Sequence, residues 1–95
     1  MHTIELQGEA EWDRGKAAAN LLKHGVRFSE AVTVLFDDLA VTVEDEGLDE
    51  LRFSTVGASA GGQVFVVVYT WRDDRVRLIS ARRATPKERR AYEET

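Results

Sequence analysis

The sequence predicts an α+β fold: an antiparallel β-sheet meander with two N-terminal helices and a short C-terminal helix. Three observations predict it. From Ala40 onward apolar and polar residues alternate with a period of two, and the run is broken by turn signals at Gly61-Gly62 and Asp73-Asp74. Before that point one segment is bracketed by Asp13, suited to a helix N-cap, and Gly25, suited to the position after a helix end. At the far end, Thr85-Pro86-Lys87-Glu88 sets Thr at an N-cap, Pro at N1 and Glu at N3, the pattern of a capping box.

Taken in order, residues 3–7 alternate and read as a possible short strand, and Trp12-Asp13 leads into a helix over 14–24. Ala18, Leu21 and Leu22 are its expected apolar stripe. Ser29 is the expected cap of a second helix over 30–36, which would bury Ala31, Val32, Leu35 and Phe36 until Asp37-Asp38 stops it. Strands follow over 40–44, 51–57, 63–71 and 75–83. In the second of these, Leu51, Phe53 and Thr55 share one face and Arg52, Ser54 and Val56 the other. The third, rich in valine and aromatics, reads as central and covered on both faces. The last helix runs to about Glu93. Tight turns between successive strands make the meander, and helices on one face complete two layers.

The 95 residues are expected to form one domain, 1–95, with a single modest core. With 43% hydrophobic and 32% charged residues the composition is that of a folded domain, not a disordered chain. The chain contains no cysteine, so disulfides, thiolate metal sites and thiol nucleophiles are excluded. Residues 1–20 hold no signal-peptide pattern, and the longest apolar run, Val64 to Tyr69, is too short to span a bilayer. A cytoplasmic location is expected, with no membrane association. The net charge of −4 argues against nucleic acid as a partner, but its distribution does not. Residues 1–50 hold four Lys/Arg against twelve Asp/Glu, whereas residues 51–95 hold nine against five. A local basic patch is compatible with the acidic average.

Two groups of residues suggest chemistry. Lys16, Asn20 and His24 are spaced i, i+4, i+8 on the first helix with Lys23 beside them, so lysine, amide and imidazole are expected on one wet face. Such a stripe suits phosphate and a transferable proton; an ordinary solvated face, favoured at its end by the helix dipole, is the other reading. The second group is Arg52, Arg72, Arg75, Arg77, Arg82 and Arg83 on or beside three strands. In a regular strand Arg82 and Arg83 point to opposite faces, so one is expected to be structural, paired with Glu88 or an acid near Asp37, and the other exposed. Tyr69, Trp71 and Tyr92 accompany them, a combination suited to single-stranded RNA, although Tyr69 is expected in the core. No metal site is expected, since the histidines are only His2 and His24 and the acidic clusters are runs of adjacent residues that do not converge. No glycine-rich phosphate loop and no cofactor signature is present.

Glu11-Trp12-Asp13, Lys16, Asn20, Lys23-His24-Gly25-Val26 and Phe28 resemble the N-terminal signature of the BrnT-type toxins, the DUF497 group. Phe36-Asp37-Asp38, Arg52-Phe53, Val56-Gly57, residues 66–70, residues 79–84, Glu88-Arg89 and Tyr92-Glu93 continue the resemblance over about residues 9–94. It implies a RelE-like fold, a ribonuclease that needs no metal, and a cognate antitoxin. That antitoxin would be a small ribbon-helix-helix protein that makes the DNA contacts of the complex. Under this implication His24, Arg52, Arg82 and Arg83 become the catalytic candidates. Lys16, Asn20, Lys23, Arg77 and Tyr92 become the RNA-binding ones. Metal-free cleavage needs a base for the 2′-hydroxyl, cations for the phosphorane and an acid for the leaving oxygen. Histidine is the side chain suited to proton transfer near neutral pH. The competing readings are a catalytically silent RelE-like module that only pairs with a partner, a toxin that acts only with the ribosome or another host factor, and a small-ligand domain. An antitoxin that wraps the chain would need exposed apolar surface, expected at Val41, Val43, Leu48 and Val56.

Overall fold

The computed structural model describes residues 4–46 and 50–94, with side chains for residues 8–45 and 50–94. Strands β1 (Ile4–Gln7) and β2 (Ala10–Asp13) precede helix α1 (Arg14–His24). A short helix α2 (Phe28–Ala31) runs into a 3-10 turn at Val32–Phe36. Strands β3 (Val41–Glu46), β4 (Leu51–Ala58), β5 (Val64–Arg72) and β6 (Arg75–Arg83) follow, and helix α3 (Pro86–Glu93) ends the fold. The sheet order is β1-β2-β6-β5-β4-β3.

The α+β class and the β3-to-β6 antiparallel meander agree with the sequence reading. The sheet is larger than expected, because β2 joins β6 in parallel and β1 extends it as an antiparallel hairpin partner. Thr3, the expected start of the first strand, lies outside the described residues. β5 is flanked on both sides and is buried along most of its length, as its valine-rich sequence implies.

The core lies between one sheet face and the segment from Val26 to Val34. From the sheet come Trp12, Phe65, Val67, Tyr69, Val76, Leu78 and Ala81; from the covering layer, Val26, Phe28, Ala31, Val32 and Val34. Trp12 meets Phe28 edge-on at 5.9 Å between ring centroids, and Phe53 stacks on Tyr69 at 5.6 Å. The Tyr69 hydroxyl is satisfied by Thr55 Oγ1 at 3.0 Å, which in turn meets Thr42 Oγ1 at 2.7 Å.

The second helix departs from its expected form. It starts earlier, with Arg27 rather than Ser29 in the capping position, and tightens into a 3-10 turn. Phe28, Ala31, Val32 and Val34 are its buried residues, and Phe28, Ala31 and Val34 stand three apart. This is the spacing at which a 3-10 turn stacks side chains on one side. Phe36 is consequently turned outward and is 82% exposed, not buried.

The stripe expected for α1 is also corrected. Leu22 is 91% exposed and Ala18 is exposed, while Ala17, Asn20, Leu21 and His24 form the inward face. The cause is Asn20, whose side chain reaches β6. Its Nδ2 donates to Ala81 O at 2.8 Å and to Val26 O at 3.0 Å, and its Oδ1 accepts from Ala81 N at 3.0 Å. β2 pairs with β6 only at Val76 and Arg77, so the edge beyond needs another partner, and Asn20 provides it. Asp13 caps α1 by accepting from Lys16 N, and Gly25 ends it at φ 71°, both as expected.

One irregularity in β6 sets which side chains share a face. Tyr69 pairs with Leu78 but Val68 pairs with Ser80, so Ile79 is an extra residue, a β-bulge. The alternation changes phase there. Val76, Leu78 and Ala81 all face the core, and Arg77, Ser80 and Arg82 all face the opposite, open side. The regular strand expected from the sequence would have separated Arg77 from Arg82.

Candidate functional site

On the open face the register lays side chains in rows. Val43, Ser54, Val68 and Ser80 form one row across β3 to β6. Val41, Val56, Val66 and Arg82 form the next. Helix α3 lies over this second row, where Ala91, Tyr92 and Glu88 line an apolar groove of about 210 Å³ with Val41 and Val56. On the other side of the first row, Arg52 and Arg77 stand level with each other with β5 between them. Two strand spacings separate their backbones by roughly 10 Å.

The edge of this face beside α1 carries the polar helix residues. Lys16, Lys23 and His24 line a depression of about 290 Å³ together with Asn20, the bulge residue Ile79 and Ser80. The expected cluster on α1 is therefore brought together. Asn20 is corrected in its role: it is buried, with its amide committed to the Ala81 backbone, so it shapes the floor of the depression instead of meeting solvent. Lys16 and Lys23 are exposed and have no ion-pair partner among the described residues. His24 is half-buried at the helix end.

The arginines divide into held and unheld. Arg77 donates through Nε and Nη2 to Glu11 Oε2 at 2.9 and 2.6 Å, and Arg75 Nε lies 3.3 Å from the other oxygen of Glu11. Arg82 makes a two-pronged pair with Glu88 at 2.8 and 3.0 Å, so it is the structural member of the Arg82-Arg83 pair. That pair and the Thr85 amide hold the Glu88 carboxyl down to about 2, and Glu88 raises Arg82 in return. Arg52 and Arg83 are exposed and carry no ion pair among the described residues.

Tyr92 is not placed to stack on a base. Its hydroxyl donates to Asp37 Oδ2, and the proximity of that carboxylate raises the phenol above its ordinary value. Asp37 is lowered chiefly by accepting from Ala58 N at 2.8 Å, then by Tyr92 and Leu39 N. Tyr92 and Arg82 together fasten α3 to the sheet. The sequence reading missed Ser80 and Glu11 as parts of this surface; only the strand register, altered by the bulge, reveals them.

Among the described residues no three His, Cys, Asp or Glu side chains converge as metal ligands, and no helix is long and apolar enough to cross a membrane. The apolar exposure expected at the sheet edge is present at Val41 (42%) and Val43 (61%), and extends to Phe36 and Leu39. Val56 is half-buried beneath α3, and Leu48 lies outside the described residues.

Residues 12–88 match the family model described as the ribonuclease toxin, BrnT, of type II toxin–antitoxin systems. The 1.1 Å crystal structure of the Brucella abortus ribonuclease toxin BrnT is similar over 78% of this chain and 92% of that one, with a TM-score of 0.62 and 25% sequence identity. No curated protein matches the chain.

Proposed function

This chain belongs to the BrnT family of ribonuclease toxins of type II toxin–antitoxin systems, and from that membership we propose that it is a metal-independent endoribonuclease of the cytoplasm. Its cleavage of RNA inhibits translation and growth until a cognate antitoxin neutralises it. The observation that carries the assignment of the site is the depression between α1 and β6, where His24, Lys16 and Lys23 surround Ser80 at the edge of a face bearing Arg52 and Arg77.

In this reading the scissile phosphate sits against Ser80. The 2′-hydroxyl loses its proton, the 2′-oxygen attacks phosphorus, the bond to the 5′-oxygen breaks, and that oxygen leaves protonated. His24 takes the proton of the 2′-hydroxyl, and the Lys16 or Lys23 ammonium gives one to the departing 5′-oxygen. The two ammoniums also stabilise the charge that builds on the phosphorane. Arg52 binds a flanking phosphate, Arg77, neutralised by Glu11, braces the face beside it, and Arg82 acts by holding α3 as one wall of the face.

The antitoxin has a natural landing place on edge strand β3. Phe36, Leu39, Val41 and Val43 expose apolar surface within eight residues, beside the exposed acids Asp38, Glu44 and Asp45. An apolar segment flanked by basic residues is complementary to it. Such a segment would come from a ribbon-helix-helix antitoxin that contacts DNA on the complex's behalf.

The test is expression of the chain alone, beside a Lys16→Ala/Lys23→Ala/His24→Gln variant, with growth and total RNA followed and purified protein assayed on RNA in EDTA. Growth arrest with RNA loss, abolished in the variant and unaffected by EDTA, is the expected result. Normal growth and intact RNA with soluble wild-type protein would indicate a catalytically silent partner-binding module.

A further inference from the structure

Arg82 and Arg83 are adjacent but meet opposite fates, and the contrast defines a second site. Arg82 takes Glu88, while Arg83 emerges at the end of β6 into a separate cleft of about 190 Å³. The cleft is lined by Gly62, Gln63, Val64, Arg83, Ala84 and Arg89 and contains no carboxylate. Both arginines are exposed, and neither has an ion-pair partner among the described residues.

The cleft is built rather than incidental. Glu88, next to Arg89 in the chain, is fully engaged: one oxygen accepts from Arg82 and the Thr85 amide, the other from Arg82 again. It is therefore not available to neutralise Arg83 or Arg89. The same bonds and the Thr85 cap lock the first turn of α3, and Ala84 N donates to Val64 O. The backbone that carries both arginines is thus held on either side of the cleft, and two guanidiniums face a common space with their donors unspent. Such an arrangement recognises an oxyanion that accepts from both, above all a phosphodiester.

We propose that the Arg83–Arg89 cleft binds the backbone phosphate of an RNA strand whose scissile phosphate lies in the α1–β6 depression. This rests on the ribonuclease reading above and extends it. Ser80 lines one place and Arg83 the other, roughly 10 Å apart along β6 with side chains on opposite sides of the sheet, so a strand that joins the two rounds the end of β6. That span corresponds to a short single-stranded stretch, not to a separate ligand. A chain with net charge −4 can hold a polyanion where unpaired cations gather locally, as Lys16 and Lys23 do at one place and Arg83 and Arg89 at the other.

The test uses the full chain and a non-cleavable 2′-O-methyl uridylate decamer. Titration of the wild type is expected to shift the backbone amide resonances of Gly62, Gln63 and Val64 as well as those near Lys23 and His24. In Arg83→Ala/Arg89→Ala, decamer affinity at about 0.1 M salt is expected to fall about tenfold or more, and the slope of log K against log salt to drop by about 1.4. The shifts at Gly62–Val64 should vanish while those near Lys23 persist at higher decamer concentration. If the alanine pair lowers the melting temperature, Arg83→Gln/Arg89→Gln keeps the test in place. Unchanged affinity and slope in a variant that folds, or no shift at Gly62–Val64 in the wild type, overturns the cleft. Loss of antitoxin affinity with decamer binding intact reassigns it to the protein partner and likewise overturns it. A wild type that binds the decamer through the cleft but cleaves no RNA leaves the cleft standing and removes the catalytic reading, whereas one that binds no decamer removes the cleft alone if it still cleaves RNA and both if it does not.

Discussion

The side chain of Asn20 pairs with the backbone of Ala81 as a neighbouring strand would, accepting from its N–H and donating to its carbonyl across 61 positions of sequence. A helix residue thereby finishes the edge of β6 that β2 leaves unpaired. Replacing it with alanine strands three buried backbone groups, the N–H and carbonyl of Ala81 and the carbonyl of Val26, and the Asn20→Ala protein is expected to lose about 2–4 kcal/mol of unfolding free energy in urea denaturation. Asn20→Asp loses the donors and should destabilise as well, whereas Lys16→Ala should leave the midpoint unchanged. An unaltered midpoint in Asn20→Ala would mean that water replaces the amide.

The Arg82–Glu88 pair gives helix α3 a dependence on acid. The folded-state value of Glu88 lies at about 2, below the ordinary carboxylate value of 4.5, so its contribution is present above pH 4.5 and is lost as pH falls toward 2. Asp37, lowered in the same direction, adds to the trend. Both groups are partly solvated, and screening reduces the effect. Hydrogen exchange of the α3 amides, measured across pH 5 to 2 and corrected for intrinsic rates, should show protection lost in that window. Glu88→Gln should show weakened protection throughout and only the pH dependence that Asp37 contributes.

Gly57 sits where β4 passes under the turn after the 3-10 segment. An added Cβ would lie 2.9 Å from Ala40 Cβ, 3.0 Å from Val34 Cγ1 and 3.1 Å from Asp37 Oδ2. Val34 is fully buried and Asp37 is tied to Ala58 and Tyr92, so neither has room to retreat. Gly57→Ala is expected to cost about 1–3 kcal/mol, read from the same urea curves. Gly61→Ala meets chiefly a Glu30 side-chain oxygen at 2.9 Å, which can swing away, and should cost far less.

The apolar edge at β3 is expected to be silent in the isolated protein. Phe36→Ser and Val43→Lys remove exposed surface and should leave the melting temperature within a few degrees of the wild type. Rescue of growth by co-expressed antitoxin should fail for the same variants. Full rescue would place the antitoxin on another surface.

Much of the fold was legible from local signals. The Thr85 capping box and the period-two runs bounded the last helix and the last strand to the residue. What was not legible depends on distant partners. The four residues of β2 are a strand only because β6 and β1 lie beside them. The buried face of α1 is chosen by a polar residue, so an apolar stripe pointed to Leu22, which is exposed. In the site, the gathering of Lys16, Lys23 and His24 followed from helical spacing, and a carboxylate for one of the paired arginines followed from the cost of burying charge. Which arginine took it did not, because the bulge at Ile79 is written in no residue type.

That bulge acts as a frameshift in space rather than in code. Arg82 lies five positions after Arg77, an odd interval, and only the surplus residue lets both reach the same side. Deleting Ile79 would leave an even interval of four and a regular strand, with every later side chain on its present side; straightening the strand at its present length would instead exchange inside for outside. Arg82 would be driven toward the place Ala81 holds against the covering layer, and Glu88 would lose the partner that docks α3. Homologues that lack the bulge would therefore be one residue shorter in β6, and a one-residue deletion at Ile79 should be better tolerated than a one-residue insertion beside it.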